Sequence, residues 1–162
     1  MKSNEQIIDD LIEREGGPKE TNDSADKGGR TKYGISERAN PEAWADGDVS
    51  LDEARTVYTR KYVVAPGFAQ IMDPKVREAM VDFGVTSGPQ LAIMKLQGLL
   101  KVEADGIMGP KTLAALELEE PRRLTNKIAL ERVKMAGRVV KKDPTQLKWL
   151  NGWLERFASF VD

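Results

Sequence analysis

The residues of this chain best suited to bond-breaking chemistry lie in Glu13-Arg14-Glu15-Gly16-Gly17 and in the polar loop that follows. That loop carries Asn22, Asp23, Ser24 and Asp26 and runs on to Thr31. A carboxylate in the last turn of a helix faces the negative end of the helix dipole, an unfavourable place for a surface charge. The same placement favours the protonated carboxyl that a general acid needs. The adjoining glycine pair leaves open space and lets backbone approach a ligand closely. Glycosidic bonds are cleaved by one protonated carboxyl and one carboxylate that acts as nucleophile or polarises water. Glu15 with Asp26 or Asp23 offers such a pair, and Thr31 is placed to orient the water. Two other readings of the loop stay open. Acidic residues among glycines also serve as solvated turn formers, and the oxygen donors suggest calcium, although the EF-hand spacing is not met.

Composition narrows the chemistry further. The 162 residues contain no cysteine and no histidine. Disulfides, thiol catalysis, serine–histidine triads and the usual zinc sites are therefore excluded, and no cofactor or metal is expected. Acid–base work falls to carboxylates, lysine or tyrosine. Lys plus Arg number 25 against 26 Asp plus Glu, so no global field draws the chain toward nucleic acid or anionic membranes. No run approaches the roughly 18 apolar residues of a membrane span. Met1 to Glu5 opens a polar amphipathic stretch without the apolar core of a signal peptide, so synthesis in the cytoplasm without an export signal is expected.

The elements that must position these residues are mostly helices. Ser3 to Gln6 reads as a capping box ahead of an apolar stripe of Ile7, Ile8, Leu11 and Ile12, and Gly16-Gly17-Pro18 stops that helix. Thr31 to Ile35 suits a short strand. A second capping box, Ser50 to Glu53, opens a helix with Leu51, Ala54, Val57 and Tyr58 on one face. Asp73-Pro74 starts another, with Val76, Ala79, Met80 and Phe83. Gly88-Pro89 separates it from a helix, Gln90 to about Lys101, bearing Leu91, Met94 and Leu99. Asp105-Gly106 and Gly109-Pro110 bracket a turn into a short helix with Leu113 and Leu116. Pro121 opens a long helix to about Lys141, and the last segment carries Trp149, Trp153, Phe157 and Phe160. No alternating β pattern appears, so the fold class is mainly α with a small β element near residues 30–35.

The stretch from Glu15-Gly16-Gly17 through Asn22-Asp23-Ser24-Ala25-Asp26-Lys27-Gly28-Gly29 to Thr31-Lys32-Tyr33-Gly34-Ile35-Ser36 resembles the signature of glycoside hydrolase family 108. Further blocks follow in order: Asp82 with Val85-Thr86-Ser87-Gly88, then Leu96-Gln97 with Asp105-Gly106-Ile107-Met108-Gly109-Pro110, then Gly152-Trp153-Leu154-Glu155-Arg156. The likeness departs at Pro18, where the pattern has tyrosine, at Ser24 and Lys27, where it has prolines, and at Thr86, where it has asparagine. That family comprises N-acetylmuramidases of phage endolysins and prophage-encoded lysis or secretion-activator proteins. The resemblance implies a lysozyme-like fold, with residues 1–88 as the catalytic half and 89–162 as a helical peptidoglycan-binding-like half packed on it as one globular unit.

By the same resemblance Glu15 is the catalytic glutamate, Asp26 the second carboxylate with Asp23 its rival, and Thr31 the water-orienting residue. Asp82 and Thr86 fall among substrate contacts. Tyr33 and Trp44, each near a turn by the loop, are candidates for stacking on sugar rings. The implied partner is peptidoglycan, met by a monomer released through a holin and acting in the periplasm. The alternative is a weakly active or non-catalytic peptidoglycan-binding protein of the secretion-activator kind. The Asp105–Pro110 block serves either substrate contact or scaffold. The Trp149–Phe160 series favours core packing over a sugar platform. Lys134, Arg138, Lys141 and Lys142 read as a solvated helix face before a patch for acidic wall polymers.

Overall fold

A computed structural model describes residues 2–22 and 29–161. The chain divides into two compact units, residues 1–65 and 66–162.

In the first unit, helix α1 spans Asn4–Arg14 and buries Ile7, Ile8, Leu11 and Ile12. Both arms of its capping box form: Gln6 N donates to Ser3 Oγ at 3.2 Å, and Ser3 N donates to Gln6 Oε1 at 2.9 Å. A two-stranded antiparallel hairpin follows, β1 at Thr31–Lys32 and β2 at Ile35–Ser36, pairing Thr31 with Ser36 and Lys32 with Ile35. The expected short strand is thus a hairpin, turned at Tyr33-Gly34. Both turn residues have positive φ, 52° and 72°, the backbone of a tight two-residue reversal. A further bridge between Thr21 and Thr31 brings the chain that leaves α1 against β1.

Helix α2, Leu51–Tyr58, starts at the capping box of Ser50 and Glu53 and buries Ala54, Val57 and Tyr58. It runs straight into a π-helical segment, Thr59–Val64. Arg55 ties α2 to α1 through both oxygens of Asp9, at 2.7 and 3.0 Å.

The second unit is helical among its described residues. Helix α3, Pro74–Ser87, is capped by Asp73, whose carboxylate accepts from Lys75 N and Val76 N. Seven consecutive residues from Glu78 to Gly84 are buried, so the middle of α3 is covered on every face. It packs against α4 (Pro89–Leu100) and α6 (Pro121–Lys142), while α5 (Pro110–Glu117) packs on α4 and α7 (Leu147–Ala158) on α6. The buried face of α4 is Ala92, Ile93, Leu96 and Gln97, whereas Leu91 and Met94 are exposed. The C-terminal aromatics are also split. Phe157 is buried, Trp153 and Phe160 are half-buried, and Trp149 is 55% exposed. No helix among the described residues is long and apolar enough to cross a membrane.

Candidate active site

Glu15 is the C-cap of α1, with φ −86° and ψ 7°, and its N–H donates to Leu11 O at 3.0 Å. Beyond it the backbone leaves the helical region at Gly16 and Gly17, at φ 114° and 58°. Gly17 N closes on Ile12 O at 3.0 Å, and Gly17 O accepts from Tyr33 N, also at 3.0 Å. The glycine pair therefore ends the helix and hands the chain directly to the hairpin turn. Glu15 itself is half-buried.

The wall beside Glu15 is Gly34. A Cβ at this position would lie 2.8 Å from Glu15 Cβ and 3.6 Å from its Cγ, and would also collide with the hydroxyl of Tyr58. That hydroxyl donates to Tyr33 O at 3.1 Å. The turn thus rests on the methylenes of Glu15 on one side and on a buried α2 tyrosine on the other. The sequence singled out Tyr58 only as an apolar-face residue, and nothing in its spacing marks the hydroxyl.

Thr31 lies in β1, half-buried, with its backbone doubly bonded to Thr21 at 2.8 Å in each direction. Glu15, Thr31 and Tyr33 accordingly belong to one local assembly: helix end, turn and strand. Asp23 and Asp26 lie outside the described residues, and with them the choice of second carboxylate and the calcium reading. Among the described residues no group of three or more His, Cys, Asp or Glu is arranged to hold a metal ion.

Tyr33 is half-buried, with Lys32 Nζ 5.5 Å from its ring centroid. Trp44 is only 5% exposed. Its indole N–H donates to Ile35 O at 3.2 Å, and the Arg30 guanidinium lies 4.5 Å over its ring. A ring so enclosed packs under the hairpin and presents no open face to a sugar. Arg30 also bridges Glu37, at 2.9 and 3.2 Å, and Gly47 O, at 2.9 Å, which closes the open end of the hairpin and ties it to the chain at Gly47.

Asp82 and Thr86 belong to the second unit. Asp82 is 1% exposed and receives Arg132 Nη2 at 2.7 Å and Arg156 Nη2 at 2.8 Å. Burial pushes the Asp82 carboxyl up, and the guanidinium groups of Arg156 and Arg132 outweigh it and hold the carboxyl below its usual range. Arg132 is itself buried, among the rings of Phe83, Phe157 and Phe160 at 5.3, 4.2 and 5.7 Å. Thr86 turns its hydroxyl to Asp82 O and Phe83 O and accepts from Arg132. Instead of facing a ligand, Asp82 is the junction of α3, α6 and α7. Two of the blocks read from the sequence, those of Asp82 and of Arg156, meet here.

Gln97 plays the same part for the Asp105–Pro110 block. Its amide donates to Asp105 Oδ1, Ile107 O and Thr112 Oγ1 and accepts from Gly106 N, all within 3.0 Å. The amide of Gln97 and the N–H of Ile107 hold the Asp105 carboxyl below its usual range. Every side-chain hydrogen-bonding group of Gln97 is thus spent on shaping this loop.

The mainly α, lysozyme-like fold places a glutamate at the end of its first helix, and the comparisons with known proteins assign the chain to the glycoside hydrolases. The glycosyl hydrolase 108 family matches residues 8–88, and a family described as a predicted peptidoglycan domain matches residues 91–158. The chain belongs to glycosyl hydrolase family 108, and it is a peptidoglycan hydrolase with a peptidoglycan-binding half. It is similar to the structure of Brucella abortus SagA, with a TM-score of 0.78 and 25% identity over 97% of this chain and 90% of that one. No curated protein matches it.

Proposed function

We propose that the protein is an N-acetylmuramidase that hydrolyses the β-1,4 bond between N-acetylmuramic acid and N-acetylglucosamine, with Glu15 as the general acid. The observation that carries this reading is the setting of Glu15: a carboxyl at a helix end, half-buried, braced by the Tyr33-Gly34 turn. Glu15 protonates the leaving glycosidic oxygen as the bond breaks. Asp26, with Asp23 as its rival, supplies the ionised carboxylate that stabilises the oxocarbenium-like transition state. Thr31, on the neighbouring strand, orients the attacking water. A water held by a threonine favours inversion, for which the two carboxyls stand about 6.5–9.5 Å apart.

Glu15→Gln keeps the shape of the side chain and removes the acid. It should abolish the clearing of wall suspensions while leaving the protein's pelleting with walls unchanged. Wild-type products should carry free reducing N-acetylmuramic acid with inverted anomeric configuration. If Glu15→Gln clears walls at the wild-type rate, the assignment of the acid fails. If neither protein clears walls and both pellet with them, the reading as a non-catalytic binding protein takes its place. Anhydro-sugar ends would mark a lytic transglycosylase instead.

A further inference from the structure

The hydroxyl of Tyr58 is used in an unusual way for a residue on a helix's buried face. Tyr58 is 3% exposed, at the last position of α2. Its ring fills core space, as a phenylalanine would. Its hydroxyl reaches out of α2 to the carbonyl of Tyr33, in the hairpin turn. Tyr33 holds a left-handed backbone that side chains disfavour, so a bond to its carbonyl helps hold a turn that would otherwise relax.

The turn bears on one side chain in particular. The space a Cβ on Gly34 would occupy is taken by the Tyr58 hydroxyl and by Glu15 Cβ together. The hydroxyl and the Glu15 methylenes thus both lie against Gly34. α2, which carries Tyr58, is held at both its start and its flank. α2 is fixed at its start by the Ser50–Glu53 box and is tied to α1 by the Arg55–Asp9 pair, and α1 carries Glu15 at its end.

We infer that Tyr58 is a positioning residue for Glu15: its hydroxyl holds the Tyr33-Gly34 turn against the Glu15 side chain and so fixes where the carboxyl is presented. The inference rests on the reading of Glu15 as the general acid. Proton transfer to a leaving oxygen demands hydrogen-bond reach, and a displacement of about 1 Å costs up to about 100-fold in rate. A Tyr58 that served only packing would leave that reach unaffected when its hydroxyl is removed.

Tyr58→Phe is the direct test, assayed on soluble uncrosslinked glycan strands well below the melting temperature. The expected result is a fall in kcat of roughly 10-fold or more, with KM unchanged and with the limb of the kcat–pH profile that reports the acid displaced. If Tm falls while kcat and the pH profile stay wild-type, the role is structural and the inference is overturned. Site-specific replacement of Tyr58 by 3,5-difluorotyrosine keeps ring and hydroxyl but lets the hydroxyl ionise well below the ordinary tyrosine value of about 10. This variant should match the wild type at acidic pH and lose kcat as the hydroxyl ionises and ceases to donate. An unchanged alkaline profile overturns the inference even if Tyr58→Phe does not fold. Glu15→Gln, run alongside, separates the two claims. A wild-type kcat in Glu15→Gln defeats the acid assignment and the inference with it. An inactive Glu15→Gln beside an unaffected Tyr58→Phe defeats the positioning role alone.

Discussion

At Asp82 two opposed influences act on one carboxyl. Burial penalises its charge, and two guanidinium groups favour it. The second wins, so the folded protein binds this proton less readily than the unfolded chain does. The linkage sign follows: the stabilising contribution is complete above the unfolded value of about 3.9 and is lost as pH falls through the lower folded value. Asp82→Asn leaves Arg132 and Arg156 without their shared anion, one of them 2% exposed among aromatic rings. The expected cost near neutrality is about 3–5 kcal/mol. Urea denaturation of both proteins at pH 7 and at pH 3 checks this, since the gap should narrow once the pH falls below about 3.9, where the unfolded chain takes up the proton that folded Asp82 binds less readily. A gap of equal size at both pH values would mean that packing, not charge, is what the substitution removes.

The hairpin argues the same point for an element. β1 and β2 contribute two residues each, too few to be stable alone. Their stability comes from attachments: Trp44 beneath β2, the Arg30–Glu37 pair across the open end, and the Tyr58 hydroxyl at the turn. Gly34→Ala should therefore be felt well beyond the turn. The added methyl group meets both Tyr58 and Glu15, and alanine resists φ 72°. A loss of roughly 2–4 kcal/mol is expected, read as a lower urea midpoint at unchanged slope, together with reduced wall clearing. A midpoint equal to that of the wild type would show that the turn gives way freely. The hairpin was only half legible in the sequence. Its place near residues 30–35 could be read, but Tyr-Gly is a weak turn signal beside Asn-Gly or Asp-Gly. Helix starts were far more legible, because Ser3, Ser50, Asp73 and Pro121 carry their capping chemistry locally. Faces set by tertiary packing were less so. α4 is apolar on several sides, and the face it buries was decided by α3 and α6, not by its own pattern. Glu15 was singled out by its place at a helix end and, more firmly, by the family resemblance. Tyr58 was not, since its hydroxyl acts on a residue distant in sequence.

For the whole molecule, the two family matches and the packing divide the chain at different points. The hydrolase family's match runs to residue 88 and the peptidoglycan domain's begins at 91, on either side of Gly88-Pro89. The compact units part at 65 and 66, which gives α3 to the second unit. The physical reason is visible in α3 itself, which packs on α4 and α6 and carries Asp82, the anion that Arg132 and Arg156 share. A chain cut at the junction of the matches, residues 89–162, would expose the faces of α4 and α6 that α3 covers and leave both arginines without Asp82. A chain of residues 66–162 keeps all of these contacts. The longer fragment should therefore show a single cooperative thermal transition by circular dichroism, and the shorter one a broad, non-cooperative loss of helix. Cooperative melting of residues 89–162 would show that α4 to α7 hold a core of their own. The centre of the second unit would then lie on α6, and α3 would be a helix added to it.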